Sequence, residues 1–482
     1  RFLDRPPQTP NLKRYHSPMR WATLLLLAAS LSAAEPDWAK VEAETMRHFQ
    51  ALLRMDTQNP PGNETQAAEY LKKVLEAEGI PTKLFALEPH RANLVARLKG
   101  NGSKRPLLLM AHTDVVRVLA ALWTHPPFSA TRDGGYVYGR GAVDDKDNVA
   151  AVLMTMLLLK RHNVPLDRDV IFLAEAGEEA STQVGIEYMV REHWPEIEAE
   201  ICLAEGGAGI RRKGKPAYVT VQTAEKIPYA FKLVSKGPAG HGSRPLKTNS
   251  IAHLSQAVAR IAQYQAPMRM NDTTRYYFER LATVSEPEDA ARYNALYHPE
   301  RSAEVQQYLA DYEPGHNSML RTSISPNIIR GGFQVNVIPS ESEAILDVRA
   351  LPDENLEAFR AKIQEIVNDP QIQVVKEDRN TRPAAPPSRL DHEAFRAIEA
   401  SWKRIYPGIT TIPSMSTGAT DMAYLRAKGV QCYGIGPMID EEDGPLGYGA
   451  HSDQERILEK SLHEFVRFKW TIVQSLAATR PQ

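Results

Sequence analysis

Pro106-Leu-Leu-Leu-Met-Ala111, followed directly by His112-Thr113-Asp114, is the stretch on which the reading of the fold turns. A short run that is apolar throughout, instead of alternating, is what a strand buried on both faces requires, as in parallel sheets covered by helices. Working outward, Val170–Ala174 and Ile201–Ala204 repeat the pattern. Between the first two of these three runs Val149–Leu159 is apolar nearly all round and reads as a core helix, well short of the ~20 residues a membrane span needs. Upstream, residues 38–54 and 65–78 carry helical spacing on either side of the breaker Asn59-Pro60-Pro61-Gly62-Asn63. Strands alternating with helices predict an α/β layer architecture, with a mixed sheet flanked by helices.

From about residue 224 the texture changes. Ile227–Ser235, Phe333–Ile338, Ala344–Val348 and Ile372–Val375 read as strands. Ile251, Leu254, Val258 and Ile261 mark one helix face, and Leu356, Phe359, Ile363 and Ile366 mark another. This β-α-β-β-α-β order predicts a compact α+β unit, interrupted by a polar, partly helical stretch at about 266–322. Arg382-Pro-Ala-Ala-Pro-Pro-Ser388 reads as a linker, after which 391–405 is helical. The predicted organisation is an α/β domain in two segments, 35–222 and 384–482, with an α+β domain at 223–383 inserted between them. Residues 1–34 are set apart as a leader. Within it Met19-Arg20, the short apolar run from Trp21 and the small residues Ser32-Ala33-Ala34 read as a signal peptide, which predicts a periplasmic or secreted protein.

Composition narrows the function classes. Lys and Arg total 58 against 59 Asp and Glu, a balance that disfavours a nucleic-acid-coating protein. Only two cysteines, Cys202 and Cys432, exclude a disulfide scaffold and a cysteine-rich zinc fold. Any metal must therefore be held by His, Asp and Glu.

Those residues gather at predicted strand ends, where open α/β sheets bind ligands. His112 and Asp114 follow the first strand, and side chains two apart on an extended segment point the same way. Asp144 sits in Gly139-Arg-Gly-Ala-Val-Asp-Asp-Lys146, just before the core helix, where a plain N-cap is the ordinary explanation. Glu178-Glu179 lies four residues past the second strand, and adjacent carboxylates repel unless a cation or proton is shared. Glu205 ends the third strand and His451 lies in Gly449-Ala-His-Ser-Asp453. Each alone has a bland structural explanation. Together they are a nitrogen and oxygen ligand set suited to zinc, cobalt or manganese.

Taken in order, Asn59-Pro-Pro-Gly-Asn-Glu64, His112-Thr-Asp114, Gly139–Lys146, Glu178-Glu179, Glu205-Gly-Gly207, Gly240-His-Gly-Ser-Arg-Pro245, Asn336-Val-Ile-Pro339, Asp347-Val-Arg349 and Ala450-His451 resemble the M20 family of metallopeptidases and amidohydrolases. Trp123-Thr-His-Pro-Pro-Phe128 looks most like its carboxypeptidase S-like branch. The resemblance implies two divalent metal ions, zinc first, with cobalt or manganese as substitutes. It puts His112 and Glu205 on one ion, Glu179 and His451 on the other, and Asp144 across both. It makes Glu178 the general base and Asp114 the residue that orients His112. It further implies a homodimer made through the inserted domain, with His241 reaching a partner's site, Asn336 and Arg349 binding substrate, and Gly418 lining the pocket. The implied function is cleavage of an amide next to a free-carboxylate amino acid in a small peptide, or deacylation of an N-acyl amino acid. No nucleic-acid partner and no membrane span are expected. A non-catalytic binder on the same fold is disfavoured by the complete ligand set. Gly177, where the family often has Asp, and Asp147, where many members have Gly, depart from the pattern.

Overall fold

The computed structural model describes residues 35–377 and 381–479, so the predicted signal peptide lies outside the described residues. Its principal sheet has ten strands. At the centre Leu107–His112 runs parallel to both Val170–Glu175 and Ile201–Ala204. Ala92–Leu98 and Thr82–Ala86 add antiparallel on one side. On the other side Gln431–Gly434 lies between Ile201–Ala204 and Lys215–Glu225, and Thr410–Ser416 runs parallel to the latter. Gly209–Arg212 and Met438–Asp440 complete the edge.

The continuous apolar runs follow from this placement. Along the central strand Leu107, Leu109 and Ala111 enter one core, while Leu108 and Met110 enter the other. The period of two along an extended chain thus buries every residue when helices cover both faces. Helices Trp38–Leu53, Lys146–Arg161, Glu393–Ile405 and Glu459–Ala477 pack on the first face. Ile186–Glu192 and Met422–Ala427 cover the second. The core helix is buried along nearly its whole length, which explains its lack of a polar face. No helix among the described residues is long and apolar enough to cross a membrane.

A second, four-stranded antiparallel sheet is ordered Ser323–Gly331, Glu341–Ala350, Ile227–Lys236, Ile372–Glu377. Helices Ser250–Ala262 and Leu356–Val367 close its core around Phe231, Leu254 and Ile363.

The strand predicted at 333–338 is displaced. Only Val337–Ile338 is extended there, paired with Gly240–His241, and the full strand is Ser323–Gly331. Phe333 and Val335 are fully exposed after a turn at Gly332, whose φ is +75°. The real strand escaped because it is an edge strand carrying Pro326 at a register shift, the position where a sheet tolerates proline. The polar stretch forms four helices, Asp272–Ala282, Pro287–Ala295, Pro299–Tyr312 and Pro314–Met319. They share a core around Phe278 that also takes in Ile412 and Met415 from a strand of the ten-stranded sheet.

Candidate metal centre

Strand ends of the ten-stranded sheet bring distant residues together. His112 is the last residue of its strand, and Glu175 stands opposite it in the parallel register. Glu205 directly follows Ile201–Ala204, and Glu178 and Glu179 come three and four residues after Val170–Glu175. Asp144 sits two residues ahead of helix Lys146–Arg161, and His451 arrives from the loop between Asp443–Leu446 and Arg456–Leu458. Backbone shape enforces these turns. Gly206 has φ +109°, and a Cβ there would stand 2.3 Å from Gln222 Oε1. Gly177 has φ +84°, and its Cβ would meet Ser181 O at 2.5 Å, so this departure from the family pattern serves the turn into Glu178.

The result is two trios that share one carboxylate. His112, Asp144 and Glu205 form the first, and Asp144, Glu179 and His451 the second, with ligand atoms in each within 4.8 Å of one another. His112 Nε2 is 3.0 Å from Asp144 Oδ1 and 3.8 Å from Glu205 Oε2. His451 Nε2 is 3.0 Å from Asp144 Oδ2 and 3.1 Å from Glu179 Oε1. Asp144 therefore offers one oxygen to each side.

The surroundings fix the ligands' orientation. His112 Nδ1 lies 3.0 Å from the Asp114 carbonyl, which can only accept, so Nδ1 carries a hydrogen and Nε2 faces the carboxylates. The Asp114 carboxylate, fully buried, accepts from the backbone N–H of Glu178 at 3.2 Å and of Glu179 at 3.1 Å. It also accepts from Asn59 Nδ2 at 2.8 Å, and Asn59 Oδ1 accepts in turn from Ser181 Oγ. Asp145 accepts from His112 N at 3.2 Å. Behind the glycine loop, Glu455 accepts from Arg140 Nη1 at 2.5 Å and from Val143 N at 2.9 Å, both inside the protein.

The local field is acidic. Burial opposes charging of His112, but hydrogen bonds to Asp114, Asp144 and Glu205 outweigh it and hold the imidazole pKa well above its usual value. Hydrogen bonds to Asp144 and Glu179 push His451 up to about 10. Burial raises Glu178 well above the carboxylate range, reinforced by Glu205 and Asp421 and opposed by His112 and Arg382. Burial would raise Asp144 too, but its bonds to both histidines hold it well below the ordinary range. Asp147, the second departure from the family pattern, is buried with neither carboxylate oxygen hydrogen-bonded, and burial pushes it up to about 8. Converging carboxylates with two imidazole nitrogens turned towards them make a donor set that fits a pair of divalent cations.

Two members of the site had no motif to announce them. Arg382, in the segment read as a linker, lies 3.5 Å from Glu178 Oε1 and 3.3 Å from Asp421 Oδ1, and donates to the Glu178 carbonyl at 3.3 Å. Asp421 is buried and raised by that burial to about 7.

The remaining predicted residues stand elsewhere. His241 is exposed on Gly240–His241, with Nδ1 accepting from Ser243 N at 3.1 Å. Asn336 adjoins it, since its carbonyl accepts from Gly242 N at 2.8 Å. Arg349, on Glu341–Ala350, is paired with Asp347 through two contacts of 2.7 and 3.1 Å. Gly418 donates to Ser416 Oγ, just past Thr410–Ser416. Among the described residues, no hydrogen bond or ion pair joins these four to either trio.

Comparison with known proteins points to one family. The model of peptidase family M20/M25/M40 matches residues 108–474. An N-fatty-acyl-amino acid synthase/hydrolase of Xenopus tropicalis is 27% identical over 380 residues, covering 77% of this chain and 72% of that protein. A probable carboxypeptidase S-like protein of Dictyostelium discoideum is 25% identical, covering 80% of this chain and 74% of its own. The crystal structure of an M20 family metallo-carboxypeptidase from Sulfolobus solfataricus superposes with a TM-score of 0.63 at 20% identity, covering 89% of this chain and 98% of that one.

Proposed function

The chain belongs to peptidase family M20/M25/M40 and is a metal-dependent amide hydrolase, and from that premise we propose that it cleaves the amide next to an amino acid bearing a free carboxylate. The observation that carries the reading is the pair of ligand trios sharing Asp144. Zinc is the native metal in this reading. Two such cations lower the pKa of water and polarise a carbonyl.

The chain's own groups do the rest. Asp144 spans the trios, and Asp114 holds the His112 ring and the Glu178–Glu179 backbone at once. Glu178, buried and outside both trios, takes the proton from the attacking water and hands it to the leaving nitrogen. Arg349, aligned by Asp347, grips the carboxylate of the amine half with two parallel hydrogen bonds. Asn336 and Gly418 contact substrate. His241, exposed on Gly240–His241, steadies the developing oxyanion of a partner subunit in a homodimer formed through the 223–383 domain. The protein acts after export, in a periplasm or outside the cell. Removal of an acyl group from an N-acyl amino acid is the second reading, supported by the likeness to the N-fatty-acyl-amino acid enzyme.

The test is a hydrolysis screen of dipeptides against N-acyl amino acids, each as free acid and as amide. Turnover is expected only on free acids, to be lost on chelation and restored by zinc, cobalt or manganese. Chelator-resistant turnover, or equal rates on amidated substrates, would overturn the assignment.

A further inference from the structure

A cavity of about 400 Å³ adjoins the trios. Its wall includes Val143, next to Asp144; Gly207, two residues past Glu205; and Ala450, next to His451. Ile210 and Ile439, neighbours in the sheet register, also line it and are apolar. The charged groups in the wall are already matched. Asp440 takes two bonds of 2.7 Å from Arg211, Asp443 one of 2.7 Å from Arg456, and Glu441 a bidentate grip from Arg212. A charged substrate group entering here would lose its hydration without gaining a free partner, whereas an apolar group would gain.

Tyr218 forms part of this wall and also of a second cavity of about 410 Å³. Tyr277 and Leu281 of helix Asp272–Ala282, and Tyr293 of Pro287–Ala295, line that second space together with charged groups, among them Arg212 and its partner Glu441. The half-buried Tyr218 ring packs against the helices' shared core and stands at the boundary.

We infer that the first cavity receives the acyl half of the substrate as a linear apolar chain, and that Tyr218 is the stop that limits the chain's length. The inference rests on the amide-hydrolase reading above. There Arg349, on the other sheet and outside this wall, takes the carboxylate half, which leaves the acyl half for the cavity. It also gives the helices of the 266–322 stretch a role, because they supply the space behind the stop.

The experiment measures kcat/KM for N-acyl-leucines from acetyl to hexadecanoyl, and inhibition by the corresponding free fatty acids. In the wild type both should strengthen about fourfold per added methylene until the chain reaches Tyr218, then level off or fall. Tyr218→Ala should move that break to longer chains and raise the long-to-short ratio of kcat/KM by about tenfold or more. Tyr218→Leu, which keeps an apolar side chain in the core, should move it the same way by less. Ile439→Trp should move it to shorter chains. A break at one chain length in all four proteins, or no dependence on length in the wild type, overturns the inference. If dipeptides are cut and no N-acyl amino acid is, the acyl-amino-acid substrate is wrong. The Tyr218 stop is then judged by fatty-acid inhibition alone, where an unmoved break rejects it and a moved break upholds it.

Discussion

Glu178 and Glu179 are adjacent, yet the fold gives them different partners. Glu179 points at His451, 3.1 Å away, while Glu178 belongs to neither trio and faces Arg382. Glu178→Gln should therefore cut kcat by about 10²–10⁴-fold while metal content stays at the wild-type level. Near-normal turnover would remove its role as base. A second residue-scale prediction concerns Lys226, whose Nζ donates to the carbonyls of Ser318 and Arg321 at 2.7 and 2.6 Å. Burial, with Arg349 and Arg321 adding, pulls its pKa down from an ordinary lysine's 10.5 to about 7. The folded state thus binds fewer protons than the unfolded state between those values, and stability gains with rising pH across that window. Thermal melts of the wild type and Lys226→Met should show the difference shifting towards the wild type from pH 7 to 10.5. A flat difference would mean the amine titrates normally.

At the scale of elements, the glycine loop before the core helix is held from behind by Glu455, which brackets it through Arg140 and Val143. Removing one partner of a buried ion pair costs about 3–5 kcal/mol, so Glu455→Ala should lower denaturation stability by that order and loosen Asp144 with it. Metal affinity should fall even though Glu455 ligates nothing, and an unchanged affinity would detach the loop from the centre. The same elements show what could be read beforehand. His112, Glu205 and the Glu178–Glu179 pair were legible because continuous apolar runs mark buried strands, and polar residues just past them must lie at strand ends. Arg382 was not, because a proline-rich setting masks a side chain that folds back onto Glu178. The edge strand Ser323–Gly331 was hidden by Pro326, and the apolar alternation at Phe333 and Val335 pointed to a strand where the chain turns in solvent.

At the scale of the whole molecule, the trios are assembled on the ten-stranded sheet, while Arg349 rides on the four-stranded sheet and His241 and Asn336 on or beside the short ribbon of Gly240–His241 and Val337–Ile338. If His241 serves a partner's site, mixing His241→Ala with Glu178→Gln subunits should restore part of the activity that each lacks alone. No recovery in mixed oligomers would assign His241 to its own chain or to none. Pattern reading reached the two-sheet plan because each sheet has its own periodicity. It read the 266–322 stretch as partly helical but could not say where those helices pack, because their core is completed by Ile412 and Met415 from a strand far downstream.

That late completion extends to the centre of the sheet. Gln431–Gly434 is inserted between Ile201–Ala204 and Lys215–Glu225, and His451 follows it. During synthesis, the polypeptide emerging from the ribosome therefore holds a gap in its principal sheet and an open second trio until residues 431–451 appear. A prematurely terminated product ending before residue 431 would expose the edges of Ile201–Ala204 and Lys215–Glu225 and lack His451. Proteolytic quality control would meet it as an unfinished sheet, and it would have no hydrolytic activity to release.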